Sequence, residues 1–488
     1  MNACFSVGGY ARILLSVTAG LSACAAWSQG AVRQRPSILL AISDDQSWLH
    51  TSISGDRVVQ TPTFDRVARE GVLFTHAFCS SPSCTPSRGA ILTGQDFWRL
   101  EDGANLMSTL PSKFTVYPDL LEAAGYVVGY CRKGWAPGNF QAAGRTRNPA
   151  GPRYKSLEAF LKNVPEDKPF CFWFGSSDPH RPYKKGSGLA SGKRLEDVVV
   201  PPFLPDTPEV RGDILDYCVE IERFDRQVGQ MLNLLAKAGR LDNTIVVVTS
   251  DNGMPFPRAK TNLYDFGVRM PLAVRWKARL PGGRVVDDFV CLTDLAPTFL
   301  EAAQLDVPPA MTGRSLVPLL VSDKAGRVDP KRDRVVVGRE RHGWNRDPNV
   351  GYPMRAIRTY DHLYIRNFKP NRWPGFDIDF SPTRTFMLEH RAEPGMKELH
   401  RLWFEPRPEE ELYDLHKDPG QVRNVADDPG YAQIKLKLRG QLDQHLAAAG
   451  DPRVAGAGDA FEQYRYFGKP TRACRFYRQF FQKPPAQR

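Results

Sequence analysis

Three short segments of this 488-residue chain hold residue types that can do chemistry together. Asp44-Asp45 ends the apolar run Ile38 to Ile42, and Asp251-Asn252 ends a matching run, Thr244 to Ser250. Three carboxylates and an amide carbonyl form a hard, all-oxygen set that suits calcium or magnesium rather than zinc. Without an ion such a cluster is self-repulsive, and a divalent cation removes that penalty. The third segment, Cys84-Thr85-Pro86-Ser87-Arg88, brings a thiol and a fixed cation four residues apart. A histidine in Asp178-Pro179-His180 follows a further apolar run, Phe170 to Phe174, and its ordinary pKa near neutrality suits proton transfer.

The elements around these segments are short, branched, apolar strands alternating with helices. Such alternation predicts an α/β fold with a large, mainly parallel, helix-covered sheet, whose ligands lie beyond the carboxyl ends of the strands. Thr61 to Gly71 reads as a helix with Pro62 at its first position. A helix starting just after Cys84 and running to Leu92 would aim unpaired N–H groups at a bound anion. The longest helix, Glu209 to Ala238, carries the apolar stripe Ile214, Cys218, Ile221, Phe224, Val228, Met231, Leu235, which is core. Past about residue 330 the texture changes. Val335 to Val337 and Leu363 to Phe368 read as strands, 367–408 as loop-rich, and Tyr431 to Ala448 as a helix. The tail from Asp459 is basic and aromatic and reads as a surface wrap.

The Cys84 pentapeptide, with Pro86 and Arg88 in register, resembles the signature of the formylglycine-dependent (type I) sulfatases, in which the cysteine is oxidised to an aldehyde. The resemblance covers nearly the whole chain. Lys260 through Tyr264-Asp265 to Gly267-Val268-Arg269-Met270-Pro271, the His180 segment, and Gly125-Tyr126 through Lys133-Gly134-Trp135 are similar to further family segments. Ser250 to Pro257, Thr261 to Tyr264, Pro202 to Pro208 and Tyr352-Pro353-Met354-Arg355 resemble the heparan N-sulfatase (sulfamidase) branch and its bacterial relatives. The resemblance implies an alkaline-phosphatase-like sulfatase fold with a smaller C-terminal antiparallel-sheet subdomain. The expected division is a leader over 1–30, a catalytic domain over 35–335, a subdomain over 336–458 and a tail over 459–488.

The same resemblance implies the roles. Cys84, as formylglycine, would form a gem-diol that attacks sulfur and later expels sulfate. Asp44, Asp45, residue 84, Asp251 and Asn252 would hold Ca2+ (or Mg2+), with Asp251 also taking the attacking proton. Arg88, Lys133 and Lys260 would add fixed positive charge, and His180 would protonate the leaving group, a role Lys260 could share. For the sugar, Arg341 and His342 after the strand at 335–337 either line the pocket or form a solvated strand end. Trp135 either stacks on a sugar ring or is buried. Two departures point away from an N-sulfated sugar in particular. Trp135 stands where many sulfatases have a histidine, and Lys260 stands where the sulfamidase-like pattern has arginine.

The expected activity is hydrolysis of sulfate esters or sulfamates of sulfated carbohydrate, after conversion by a formylglycine-generating maturation enzyme. The alternative is a phosphoester or phosphonate hydrolase on the same scaffold. A catalytically silent binding protein would lack the nucleophile or the metal set, and both are present. Sixty-six basic against 54 acidic residues give a net charge of +12 and a pI near 9.2, which can steer a polyanion. No helix-turn-helix, zinc-finger or basic-aromatic pattern supports nucleic acid as partner. Arg12 followed by Ile13 to Leu21 and small residues reads as an export signal, placing the protein in the periplasm, on the cell surface or outside the cell. Leu21-Ser22-Ala23-Cys24 offers lipid attachment at Cys24, and Ala26-Trp27-Ser28 offers ordinary cleavage. Cys131, Cys171 and Cys218 sit in apolar runs and read as buried thiols, and no disulfide between Cys79 and Cys84 is expected.

Overall fold

The computed structural model describes residues 34–375 and 380–475. The expected leader over 1–30, including Cys24, lies outside them, as does the end of the tail. From Arg35 onward the described residues belong to one unit built on two sheets.

The large sheet holds β1 (Ser37–Ser43), β2 (Val72–Phe78), β3 (Val127–Arg132), β4 (Arg153–Tyr154), β5 (Phe170–Gly175), β6 (Thr244–Ser250), β7 (Arg269–Arg275) and β8 (Arg284–Cys291). Their order is β4-β3-β5-β1-β6-β7-β2-β8. Only β7 runs against its neighbours; the other pairings are parallel. All seven residues of β1 are buried, and they serve two faces alternately. Ile38, Leu40 and Ile42 enter one core cluster, and Leu39 and Ala41 the other. That double burial is why the central strands read as continuous apolar runs.

One face is covered by the 30-residue helix Pro208–Lys237, started by Thr207, whose hydroxyl accepts from the Val210 amide, and by Pro208 at the first position. Phe224, Val228, Leu232 and Leu235 seal it to the sheet. The other face is covered in part by Tyr117–Ala123 and Leu295–Ala302.

The second sheet is antiparallel, in the order β12-β11-β10-β9, formed by β9 (Arg334–Arg339), β10 (Met354–Thr359), β11 (His362–Asn367) and β12 (Glu410–Asp414). The helix Ala432–Ala448 packs on it through Leu438, Leu442 and Leu446.

The span 367–408 departs from the loop-rich expectation, for it contains the helices Pro382–Glu389 and Pro394–Phe404. Each begins with proline, and Ser381 caps the first by accepting from the Arg384 amide at 3.0 Å. Met387, Met396 and Trp403 then bury against the long helix, which tertiary contact alone supplies. Cys131, Cys171 and Cys218 are buried and free, and none of the described cysteines is bridged, Cys79 and Cys84 included. Among the described residues no helix is long and apolar enough to cross a membrane.

Candidate active site

Four adjacent parallel strands, β3, β5, β1 and β6, each deliver candidate side chains past their carboxyl ends. Lys133 follows β3, His180 follows β5, Asp44 and Asp45 follow β1, and Asp251 and Asn252 follow β6. The register pairs Ser43 with Ser250, so the two acidic pairs leave the sheet side by side. The helix Cys84–Thr93, buried along all ten residues, brings Cys84 to the same point from the far side.

One ligand atom from each of Asp44, Asp45, Cys84 and Asp251 lies within 4.8 Å of the others. The Cys84 thiol points at Asp44 Oδ1, 3.6 Å away. Asn252 completes the group. Its Nδ2 donates to Asp45 Oδ1 at 2.8 Å and to Asp251 Oδ1 at 2.7 Å, while its Oδ1 is buried without a partner. Exchanging amide N and O by a flip would turn that orphaned carbonyl toward the carboxylates and complete an all-oxygen set. The residues present therefore fit a divalent cation. Asp45 holds φ at 76°, a left-handed backbone that is unfavourable for aspartate and is typical of strain kept at functional sites.

Three cations face the three carboxylates. Arg88, fully buried, donates from Nε to Asp251 Oδ2 at 2.8 Å. Lys133 Nζ lies 2.7 Å from both oxygens of Asp44, and Lys260 Nζ lies 2.6 Å from Asp45 Oδ2. Burial opposes ionisation of Asp44, yet Lys133, then His180, Arg88 and Lys260, hold its carboxyl well below the usual range. Asp45 goes the other way. Burial, with Asp44 and Asp251 adding like charge, raises it to about 6 against the pull of Lys260 and His180. Burial, then the Asp251 and Asp44 charges, push the Cys84 thiol far up despite Lys133. An unmodified thiol here is thus a poor nucleophile.

His180 Nε2 sits 3.8 Å from Asp45 Oδ2. Its Nδ1 lies 2.7 Å from the Arg181 carbonyl oxygen, which can only accept, so Nδ1 carries the proton in the neutral ring. The Arg181 side chain is itself clamped by Asp213, at 2.8 Å through each of two parallel bonds. The Lys133 carbonyl accepts from Arg88 Nη1 at 2.9 Å and from Trp173 Nε1 at 3.0 Å. Gly175 makes that approach feasible, since a Cβ there would lie 1.7 Å from the Lys133 oxygen and 2.9 Å from Arg88 Nη1. Gly175→Ala is therefore expected to destabilise the protein by about 2–3 kcal/mol or more and to cut turnover sharply, because Lys133 and Arg88 must both move. Urea melts and steady-state kinetics would check it.

The residues considered for the sugar fall in three places. Trp135 is 1% exposed, packed in the core beside Gly89 of the Cys84 helix, and its backbone N–H and C=O both bond Asn148. It braces the Lys133 loop and offers no face to a ligand. The Arg341 side chain turns to the tail, where Nη2 donates to the Tyr464 carbonyl at 2.5 Å, so it does not line the cluster. His342 does reach it, with Nδ1 2.7 Å from the hydroxyl of Ser83, the residue before Cys84. Sequence reasoning missed Ser83, Gly175, Arg181 and Asp213. Of these only Ser83, a good cap residue at a helix start, left a local signal.

Comparison with known proteins agrees with this geometry. The Sulfatase family profile matches residues 36–145 and 153–305, and the profile for "N-sulphoglucosamine sulphohydrolase, C-terminal" matches 258–400. The chain belongs to the sulfatase family and is a hydrolase of sulfate esters or sulfamates. It is 30% identical to human N-sulphoglucosamine sulphohydrolase, over 89% of this chain and 94% of that one. It is 28% identical to an ulvan-active sulfatase of Formosa agariphila, over 86% and 76%. The fold matches a solved structure in complex with its substrate D-glucosamine-2-N,6-O-disulfate (TM-score 0.65, 20% identity, 86% and 98% covered). It also matches a phosphonate monoester hydrolase from Silicibacter pomeroyi (TM-score 0.61, 17% identity, 86% and 97% covered).

Proposed function

We propose that this protein is an exported sulfatase of sulfated saccharides, matured by oxidation of Cys84 to formylglycine and dependent on a divalent cation, calcium in the first instance. The observation that carries the reading is the meeting of Cys84 with three carboxylates and three fixed cations at the ends of four parallel strands. The saccharide class is supported by the relatives, which are named for N-sulphoglucosamine and ulvan. Export, by a cleaved leader or a lipid on Cys24, and the maturation enzyme as partner rest on the sequence.

Asp44, Asp45, Asp251 and Asn252, with residue 84, would hold the cation, which would polarise the sulfate oxygens and shift a charge-balanced cluster toward positive. The hydrated aldehyde at position 84 would supply an oxygen nucleophile that the high-pKa thiol cannot. Around it, Lys133 and Lys260 meet an entering sulfate with charges already fixed in place, so little reorganisation accompanies the reaction. Arg88 is turned to Asp251 and two backbone carbonyls, and it holds the carboxylates in position. Protonated His180 carries a proton on Nε2 for the departing sugar oxygen or nitrogen. The neutral ring it leaves is the tautomer that the Arg181 carbonyl favours.

A readout independent of turnover tests the ion. Chelator-treated protein should gain thermal stability when calcium is added, and gain more at pH 7 than at pH 5. The folded-state carboxyl of Asp45 sits near 6, above its ordinary 3.8, so metal-free stability falls as pH rises through about 6. At pH 5 the ion must displace the Asp45 proton, and at pH 7 that proton is mostly gone. A gain equal or larger at pH 5 removes Asp45 from the ligand set. The activity itself is tested by sulfate release from N-sulfated glucosamine and from O-sulfated mono- and oligosaccharides, with phosphate and phosphonate monoesters in parallel. Sulfate release from a saccharide sustains the reading. Release of phosphate alone would replace it with the phosphohydrolase alternative.

A further inference from the structure

The loop after β9, residues 340–346, is held on every side. The Glu340 carboxylate, buried, receives Arg355 Nη2 at 2.8 Å and Arg453 Nη2 at 2.6 Å. The Arg341 amide donates to Asn105 Oδ1 at 3.0 Å, and its carbonyl accepts from the Leu106 amide at 3.0 Å. Asn345 Nδ2 donates to the His342 carbonyl at 2.7 Å. A side chain presented by so fixed a loop loses little freedom when a ligand arrives.

That side chain is His342, only 9% exposed. Its Nδ1 lies 2.7 Å from Ser83 Oγ. Ser83 is the N-cap of the Cys84–Thr93 helix, where a serine hydroxyl ordinarily accepts from the first turn. Here it makes no cap bond and is given to the histidine instead. The arrangement leaves the Cys84 and Thr85 amides without a side-chain cap, Pro86 having no N–H, and fixes the imidazole. Nε2 bonds nothing among the described residues and is not sealed from solvent. Burial, then the charges of Lys260, Arg339, His180 and Lys133, hold the ring far below its ordinary pKa, which favours the neutral imidazole. The cluster's other side chains facing the reaction centre are mostly full charges, suited to sulfate and metal. A neutral imidazole beside them suits an uncharged hydroxyl.

We propose that His342 is a specificity residue: its Nε2 hydrogen-bonds a hydroxyl of the sugar that bears the scissile sulfate, and Ser83 is the positioning residue that fixes the ring. In this arrangement Ser83 donates to Nδ1 and the ring proton sits on Nε2. The inference rests on the sulfatase reading and gives the second sheet a direct part in substrate choice.

Matured wild type, His342→Ala, His342→Gln, Ser83→Ala and the Ser83→Ala/His342→Ala double variant would be compared. The substrates are a sulfated glucosamine that wild type turns over and a small aryl sulfate without sugar hydroxyls. Loss of one hydrogen bond in a desolvated site predicts a fall in kcat/KM of about 10- to 100-fold for the saccharide, mainly through KM. The aryl sulfate should lose at least several-fold less. Ser83→Ala should cost the saccharide less than His342→Ala does and add nothing to it in the double variant. Equal losses on both substrates, or additive losses in the double variant, would overturn the proposal. Because variants can misfold, a second measurement uses the Cys84→Ala protein, which keeps His342. Adding the sulfated glucosamine that wild type turns over should shift the His342 ring nitrogen resonances, and their constancy at saturating sugar would also overturn it. Wild-type sulfate release from the aryl sulfate judges the sulfatase reading separately.

Discussion

Cys84→Ala is expected to abolish sulfate release, with kcat falling by about 10⁴-fold or more, while the fold survives. The magnitude follows from removing a covalent nucleophile, for which neighbouring groups cannot substitute. Survival of the fold follows from size. The change removes one sulfur atom from a buried helix start whose other contacts are backbone bonds, the Ser87 hydroxyl on the Asp251 carbonyl, and Arg88. A loss of about 1 kcal/mol is the expected scale for so small a deletion. Sulfate release and a thermal melt on the same sample check both halves. Turnover retained by the alanine variant would end the formylglycine mechanism. Mass analysis of the peptide spanning residue 84 in active wild type should show aldehyde in place of thiol.

Asp251→Ala is the second large effect, and it acts on activity and stability together. Asp251 Oδ1 accepts from the Asp45 amide at 3.2 Å and from Asn252, and Oδ2 accepts from Arg88 at 2.8 Å. Removing it takes a carboxylate from the proposed ligand set, and turnover should fall by about a thousand-fold or more, the scale of losing a preorganised electrostatic element. It also strands the fully buried Arg88, whose Nη2 already lacks a hydrogen-bond partner. Breaking a buried pair in this way costs about 3–5 kcal/mol. The double variant Asp251→Leu/Arg88→Met removes both charges and should recover most of that stability without recovering activity. If the double variant were no more stable than Asp251→Ala, the loss would come from packing and not from the unpaired charge.

Much of the fold was legible because the central strands are buried on both faces. Ile38 to Ile42 and Thr244 to Ser250 had to be continuous apolar runs, and their carboxyl ends had to be where acidic residues could gather. The helix bearing Cys84 and the long helix over 208–237 announced themselves by motif and by stripe. The helices at 382–389 and 394–404 did not, because they are short and held by Met387, Met396 and Trp403 against a helix that lies far earlier in the chain. Trp135 shows the limit for single side chains. Nothing near residue 135 tells whether an indole faces a sugar or the underside of a helix, and contact with Gly89 decides it.

Local patterns picked out the candidate set that the structure brings together: the cysteine with its proline and arginine, the two acidic pairs at strand ends, and His180, Lys133 and Lys260. These are local patterns, and chemistry restricts which residue types can serve. How the set is wired depends on the three-dimensional arrangement. It placed Lys133 on Asp44, Lys260 on Asp45 and Arg88 on Asp251, turned Arg341 away to the tail, and carried His342 across 259 positions to the hydroxyl of Ser83. Such pairings depend on sheet order and on the packing of the second sheet against the first. Those are properties of long-range burial, which no local spacing encodes.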